Sequence, residues 1–377
     1  MPATISGLFV GLMSGTSLDG IDAALIRCTD QRITFIDARA CPMPDTLKDE
    51  LLALCHARSV EFDQLASAEH AFCVLQSELV NQLLKGNGYT TDDIVAIGSH
   101  GQTIEHQPEL STPYTFQLDN PSLLSELTGC DVVGDFRRRD LAAGGQAAPL
   151  APAFHQAIFQ DTQCWRVALN LGGFANITLL PPTESGISIT GFDTGPANVL
   201  SDYWFHQYNE GNYDASGYWA RSGTPHQVLL ESMLADPFFA RTAPKSTGRE
   251  YFNPDWLGNH LAAHPATPED VQATLIELTA RTIADAVRDA LPDTACGDVD
   301  VIPCGGGAHN GYLLERLACH LAPVRLRDCT DFGWSADWME AGAFAWLAWR
   351  RVNCLPGNLP EVTGARGPRV LGGLYRR

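Results

Sequence analysis

An α/β protein of two lobes is what this sequence predicts, and three observations predict it. Strands joined by short turns open the chain, the same strand, glycine turn, strand order restarts near Leu169, and amphipathic helices are interleaved with short buried-type strands. With 377 residues, 45% hydrophobic and 18% charged, the chain exceeds one typical core and carries enough apolar surface for two.

In order, LFVGLMS, IDAALIRC and RITFIDARA read as an antiparallel meander whose first turn carries Leu18-Asp19-Gly20. After Pro42 and Pro44, Leu65, Ala68, Phe72, Leu75, Leu79 and Leu83 recur at three- and four-residue steps as one helical face. IVAIGSHGQT is a buried-type strand running into a glycine-containing loop, and GCDVVGDFRRRD repeats that pattern. The Gly/Pro-rich stretch 141–152 marks a crossing between lobes, and we expect lobes of about 1–134 and 135–377. WRVALNLGGFANITLL then gives a second glycine-turned hairpin, a weak internal duplication seen in element order rather than residue identity. Val271 to Leu291 is helical in period, VDVIPCGGGAHNGYLLERL reads as strand, glycine loop and helix, and WSADWMEAGAFAWLAWRRV as a buried helix packing back across the junction.

The formal charge of -19 leaves few cations to neutralise a phosphate backbone, which argues against a nucleic-acid partner. Eleven cysteines without C-x-x-C or zinc spacing read as reduced thiols of a cytoplasmic protein. The N-terminal segment lacks a basic n-region, and no apolar run reaches the roughly 20 residues of a membrane helix.

Chemistry concentrates in five places. Gly15, Thr16, Ser17, Leu18, Asp19, Gly20, Ile21 and Asp22 combine glycines, hydroxyls and two carboxylates, a set suited to phosphate oxygens and Mg²⁺; taken alone it is equally a simple Asp-Gly turn. The Lys of a Walker loop is missing. Asn170, Gly172 and Gly173 offer the same chemistry without charge, and the two hairpins together could grip a triphosphate. Gly305, Gly306 and Gly307, between an apolar strand and a helix, suit the adenosine end of a nucleotide. Asp193, after a strand and before a helix, is our choice for the carboxylate that activates an acceptor, with a helix N-cap as the bland alternative. His100, Gln102 and Thr103 suit sugar hydroxyls or an acetamide, and an Arg in DFRRRD suits a carboxylate; Arg138 and Arg139 read as solvated charges.

With those segments in view, the chain resembles the anhydro-N-acetylmuramic acid kinase family of the actin/sugar-kinase/Hsp70 superfamily. The likeness runs through GLMSGTSLDGID, GSHGQT, GDFRRRD, APLAP, NLGGFANIT, GFDTGPAN, PKSTGREYFN, CGGGAHN, ADWMEAGAFAWLA and PGNLPEVTGA, in order. It implies a ribonuclease H-like, actin/hexokinase-like architecture with ATP and sugar in an interdomain cleft that closes on ligand. The implied reaction turns 1,6-anhydro-N-acetylmuramic acid, water and ATP into N-acetylmuramic acid 6-phosphate and ADP, in peptidoglycan recycling. The resemblance makes Asp193 the base on the attacking water, and Gly15 to Asp22 the phosphate site with Asp19 reaching Mg²⁺ through water. It adds Glu340 as a nucleotide-site carboxylate, gives the sugar and its lactyl carboxylate to His100, Gln102, Thr103 and Arg137, and allows a homodimer. Three residues depart from the expected pattern: Ala147 where a Gly is anticipated, and Ala197 and Ser201 where Gly and a larger apolar residue are. Two other classes would share the hairpins. An actin-like switch would need no sugar pocket, and a phosphohydrolase would direct water at phosphorus.

Overall fold

The computed structural model describes residues 4–292, 295 and 299–377. It divides into two compact units, one of Met1–Ile158 with Trp338–Arg377, the other of Phe159–Asp337.

In the first unit, β1 (Gly7–Ser14), β2 (Gly20–Cys28) and β3 (Ile33–Pro42) form the antiparallel meander. β4 (Ile94–Gln107) lies parallel to β1, and β6 (Val132–Gly134) parallel to β4, while β5 (Tyr114–Leu118) folds back antiparallel on β4. Strand Gly373–Tyr375 closes the sheet antiparallel to β6. One core forms against helices Asp45–His56 and Phe62–Gly86, where Leu47, Leu51, Phe72, Leu79 and Leu83 meet Val10, Leu12 and Leu25. The expected helical face is there, with Leu65 and Leu75 at its half-buried margin.

Helix Met339–Val352 packs on β1 and β4, and two glycines make that possible. A β-carbon on Gly11 would stand 1.9 Å from the carbonyl oxygen of Ala341, and one on Gly98 2.1 Å from that of Phe344. Sheet and helix backbones therefore touch at positions where any side chain would hold them apart.

In the second unit, β7 (Trp165–Leu171), β8 (Phe174–Leu180) and β9 (Thr190–Pro196) repeat the meander, with β10 (Val299–Cys304) parallel to β7 and β11 (Arg325–Leu326) parallel to β10. The orders β3-β2-β1-β4-β6 and β9-β8-β7-β10-β11 match strand for strand. Helix Pro268–Ala290, capped by Thr267, lays Ile276, Ala280, Ile283 and Val287 on this sheet beside Leu313 and Leu317 of helix Gly311–Leu321. Helices Asn198–Tyr208, Gln227–Leu234 and Pro254–Ala263 enclose a smaller apolar cluster around Phe238 and Phe252.

Where the sequence reading divides the lobes after Gly134, the compact units divide after Ile158. Residues 135–158 stay with the first unit because Asp140, fully buried, bonds Asn358 at 2.6 Å and Thr363 at 2.8 Å. Residues 338–377 join that unit too, through the helix and strand that complete its sheet. Among the described residues, no helix is long and apolar enough to cross a membrane, and all ten described cysteines are free thiols. Cys296 lies outside the described residues.

Candidate functional site

In the first unit, the β1–β2 turn is built around Leu18, whose φ of 56° is left-handed and whose side chain is buried. Thr16, Ser17 and Asp19 stand exposed around it. Leu18 and Ile21 face the core, so to a ligand this segment offers backbone, two hydroxyls and carboxylates. The Asp19 carboxylate meets Lys48 Nζ at 3.3 Å. Gly20, Ile21 and Asp22 already belong to β2. Ser14 Oγ ties the base of the turn to β4, donating to Gln102 Oε1 at 2.6 Å.

His100, Gln102 and Thr103 lie inside β4, not in a loop after it. The glycine misleads the sequence reading: Gly101, at φ 74°, bends the strand without ending it, and a β-carbon there would lie 2.7 Å from the Leu118 carbonyl. His100 is buried, its ring 4.6 Å from that of Phe344. Its Nδ1–H donates to the Gly101 carbonyl at 2.7 Å, and its Nε2 accepts from Arg137 Nε at 3.0 Å. Burial first, and the Arg137 charge second, hold the imidazole well below its ordinary pKa, so it is neutral. Arg137 also donates through Nη1 to the Ala147 carbonyl at 2.8 Å; burial lowers it to about 10, opposed by Glu340. Glu340 heads helix Met339–Val352 and so shares a unit with Arg137 and not with the glycine loop.

Gln102 is less available than the sequence suggests. Fully buried, it accepts from Ser14 and donates to the Thr103 carbonyl at 3.2 Å, while Thr103 Oγ1 accepts from Gln117 at 3.2 Å. Ala147 sits at φ 61°, the left-handed region where a Gly is at ease. Its N–H donates to Asp140 Oδ2 at 2.9 Å, and those bonds on either side of it hold the conformation.

In the second unit, the β7–β8 turn and the glycine loop meet. A β-carbon on Gly305, at φ 78°, would fall 2.7 Å from Asn170 Oδ1, and one on Gly307 2.7 Å from Leu171 Cβ, whereas Gly306 faces open space. The Gly172 and Gly173 carbonyls accept the N–H groups of Ala197, Asn198 and Val199 at 3.0 to 3.1 Å, so that helix start is already satisfied. Beside the loop is a cavity of about 400 Å³ lined by Asp202, Tyr213, Asp214, Gly306, His309 and Asn310, among others. Burial, and then Asp214, push the Asp202 carboxyl to about 7.

Asp193 lies within β9, opposite Asn176, not in the loop beyond the strand. Its Oδ2 accepts from the Thr247 N–H at 2.9 Å. Burial raises the carboxyl pKa, the Thr247 bond lowers it, and Glu250 raises it again. The helix N-cap alternative does not apply, since Ala197 occupies that position.

The chain matches the family description "Anhydro-N-acetylmuramic acid kinase" over residues 7–377. It is 58% identical over 368 residues to the anhydro-N-acetylmuramic acid kinase of Chromohalobacter salexigens, covering 98% of this chain and 99% of that one. The chain belongs to the anhydro-N-acetylmuramic acid kinase family.

A second relative of that name, from Pseudomonas paraeruginosa, is 50% identical over 97% of this chain and 98% of its own. Among solved structures, a ROK family glucokinase from Streptomyces griseus with glucose and AMPPNP aligns at TM-score 0.39 and 15% identity, over 90% and 99% of the two chains. An activator of 2-hydroxyisocaproyl-CoA dehydratase from Clostridium difficile with ADPNP aligns at 0.43 and 12%, over 92% and 94%. Likenesses at this level leave function to the family match. For a kinase of this family, sequence reasoning gave no role to two features. One is segment 244–247, the start of PKSTGREYFN, whose place beside Asp193 no periodicity announces. The other is Asp202, which reads as an ordinary helical acid until the cavity is seen.

Proposed function

We infer that this chain opens the 1,6-anhydro ring of anhydro-N-acetylmuramic acid with water and transfers the γ-phosphoryl group of ATP to the O6 so released, giving N-acetylmuramic acid 6-phosphate and ADP. Family membership supports the kinase. The observation that carries the mechanism is Asp193, a half-buried carboxylate on a rigid strand, with one oxygen held by the Thr247 N–H. A base must be ionised, positioned and short of water, and burial that raises its pKa also raises its basicity. In the proposed step, Asp193 takes a proton from water as the water oxygen bonds to the anomeric carbon. The anomeric C–O6 bond breaks, and O6 attacks the γ-phosphorus, expelling ADP.

His100 and Arg137 are proposed to face the sugar, with the lactyl carboxylate the natural partner for the guanidinium. Asn170, Gly172, Gly173 and Gly305 to Gly307 are proposed for the nucleotide, Gly306 offering the open approach. Gly15 to Asp22 and Glu340 are carried forward in the same role. Mg²⁺ fits Asp19 as an ion held mainly by phosphate and water, since that carboxylate stands exposed with the Thr16 and Ser17 hydroxyls on the same turn. When bound, it would neutralise phosphate charge; Asp19 would have to leave Lys48 to reach it. We place the enzyme in the cytoplasm, where its free thiols are stable, and take a homodimer as an expectation for sedimentation to check.

The test is Asp193→Asn with ¹⁸O-water. The amide cannot accept the proton, so turnover should fall at least about 10²-fold while both substrates still bind. In the normal enzyme the label should appear at the anomeric carbon. Near-normal turnover removes Asp193 as base, and label in released inorganic phosphate makes the chain a hydrolase.

A further inference from the structure

β9 is the edge strand of the second unit's sheet, and an edge strand leaves backbone N–H and C=O groups unpaired. At Asp193 it does not. The Asp193 N–H donates to the Lys245 carbonyl at 3.0 Å, and two residues on the Thr247 N–H donates to Asp193 Oδ2 at 2.9 Å. Segment 245–247 thus holds the same residue by backbone and by side chain.

That segment has no regular structure of its own, so something must fix it. Lys245 does so. Its ammonium donates to the Phe239 carbonyl at 3.2 Å and the Phe238 carbonyl at 3.4 Å, and lies 4.9 Å from the centre of the Phe238 ring. Phe238 itself is fully buried in the cluster with Phe252 and Leu257. The chain of support runs from a packed aromatic core, through a lysine, to a backbone N–H on the base.

We propose that Lys245 is a positioning residue for the reaction: by anchoring segment 245–247 to the Phe238–Phe239 backbone, it sets both the direction and the basicity of the Asp193 carboxylate. The inference rests on Asp193 being the base. The Thr247 N–H binds the ionised carboxylate better than the neutral acid, so it favours ionisation and counters burial and the charge of Glu250, both of which raise the carboxyl pKa. It also fixes Oδ2 and so selects the other oxygen, Oδ1, for the water. A slack segment loses both effects together.

The experiment compares Lys245→Met, which keeps the stem and removes the donors, with Lys245→Arg, whose guanidinium can still serve two carbonyls. Steady-state kinetics use ATP, Mg²⁺ and 1,6-anhydro-N-acetylmuramic acid across pH. Lys245→Met should lower kcat about tenfold, the scale of one lost bond to a charged group, with both KM values within about twofold. Activity needs the ionised carboxylate, and losing the N–H raises its pKa, so the acid limb of kcat should move to higher pH. Lys245→Arg should restore both kcat and the limb. A fall in kcat with an unmoved acid limb, or no fall at all, overturns the proposal. If Lys245→Met does not accumulate folded, Thr247→Pro, which removes that N–H together with the hydroxyl, read against Thr247→Ala, which removes the hydroxyl and keeps the N–H, must give the same shifted limb where Thr247→Ala does not, or the proposal fails. Asp193→Asn separates the two ideas: if it retains turnover, the base assignment is wrong, whereas an inactive Asp193→Asn beside an unshifted Lys245→Met refutes the positioning role only.

Discussion

Replacing Asp140 by Asn tests how far the proposed sugar contacts depend on a residue that touches no sugar. The carboxylate is fully buried and accepts three bonds: Asn358 Nδ2 at 2.6 Å and Thr363 Oγ1 at 2.8 Å on Oδ1, and the Ala147 N–H at 2.9 Å on Oδ2. An amide of the same shape has one acceptor. If its oxygen takes the Oδ1 place, its NH₂ faces the Ala147 N–H, donor against donor. If it flips, Asn358 loses its acceptor, and Asn358 cannot turn to compensate because its Oδ1 accepts from the Arg369 N–H at 2.6 Å. One bond to a charged group is lost and one buried donor is left unmatched, about 3 kcal/mol in all. Thr363 can fall back on the Leu359 carbonyl at 3.3 Å, which limits the loss. The effect should reach further, because the Ala147 carbonyl holds Arg137, and Arg137 holds His100. Urea unfolding should show the loss of stability, hydrogen exchange should rise across 140–147 and 358–369, and KM for the anhydrosugar should rise several-fold with KM for ATP steady. A variant as stable as the parent, with unchanged exchange, would refute the account of Asp140 as an irreplaceable acceptor.

Gly98→Ala should destabilise by about 3 kcal/mol, since its methyl meets the backbone of helix Met339–Val352 and neither partner is a movable side chain; a melting midpoint within a degree of the parent's would contradict it. Gly305→Ala should weaken both folding and ATP use because of its positive φ and its contact with Asn170, while Gly306→Ala should leave stability alone and raise only KM for ATP; equal effects would sink the proposed open approach. Asp119, which accepts from Ser99 at 3.0 Å, is raised to about 7, mainly by burial. A carboxyl with a folded pKa above its unfolded one loses stability as pH rises from about 4 to about 7, so Asp119→Asn should flatten that part of the stability curve, as urea midpoints at several pH values would show.

Much of the fold was legible because it is local. Apolar runs broken by Gly-Gly or Asp-Gly turns identify both meanders, and the restart near Leu169 anticipates the matching strand orders. What stayed hidden depends on distant partners. Gly101 looks like the end of a strand because a glycine at φ 74° and a chain break leave the same mark in sequence. The compact units divide after Ile158 and not after Gly134 because the partners of Asp140 lie more than two hundred residues away. Of the proposed site, residue types were readable, but not which were free: Gln102 is tied to Ser14, and Asp193 to a segment without pattern.

The first unit is discontinuous in sequence, and this orders events during synthesis. The ribosome makes β1 to β6 first, yet the helix that contacts Gly11 and Gly98, and the strand that closes beside β6, emerge only after all of the second unit. The second unit, continuous from Phe159 to Asp337, can therefore finish folding while the older unit still waits with an uncovered sheet face. At about 5 to 20 residues per second, the intervening 179 residues, 159 to 337, keep it waiting for roughly 10 to 35 seconds. A chain ended after Asp337 and released from the ribosome should then show a protease-resistant second unit and a protease-sensitive first, the reverse of the order in which they were translated.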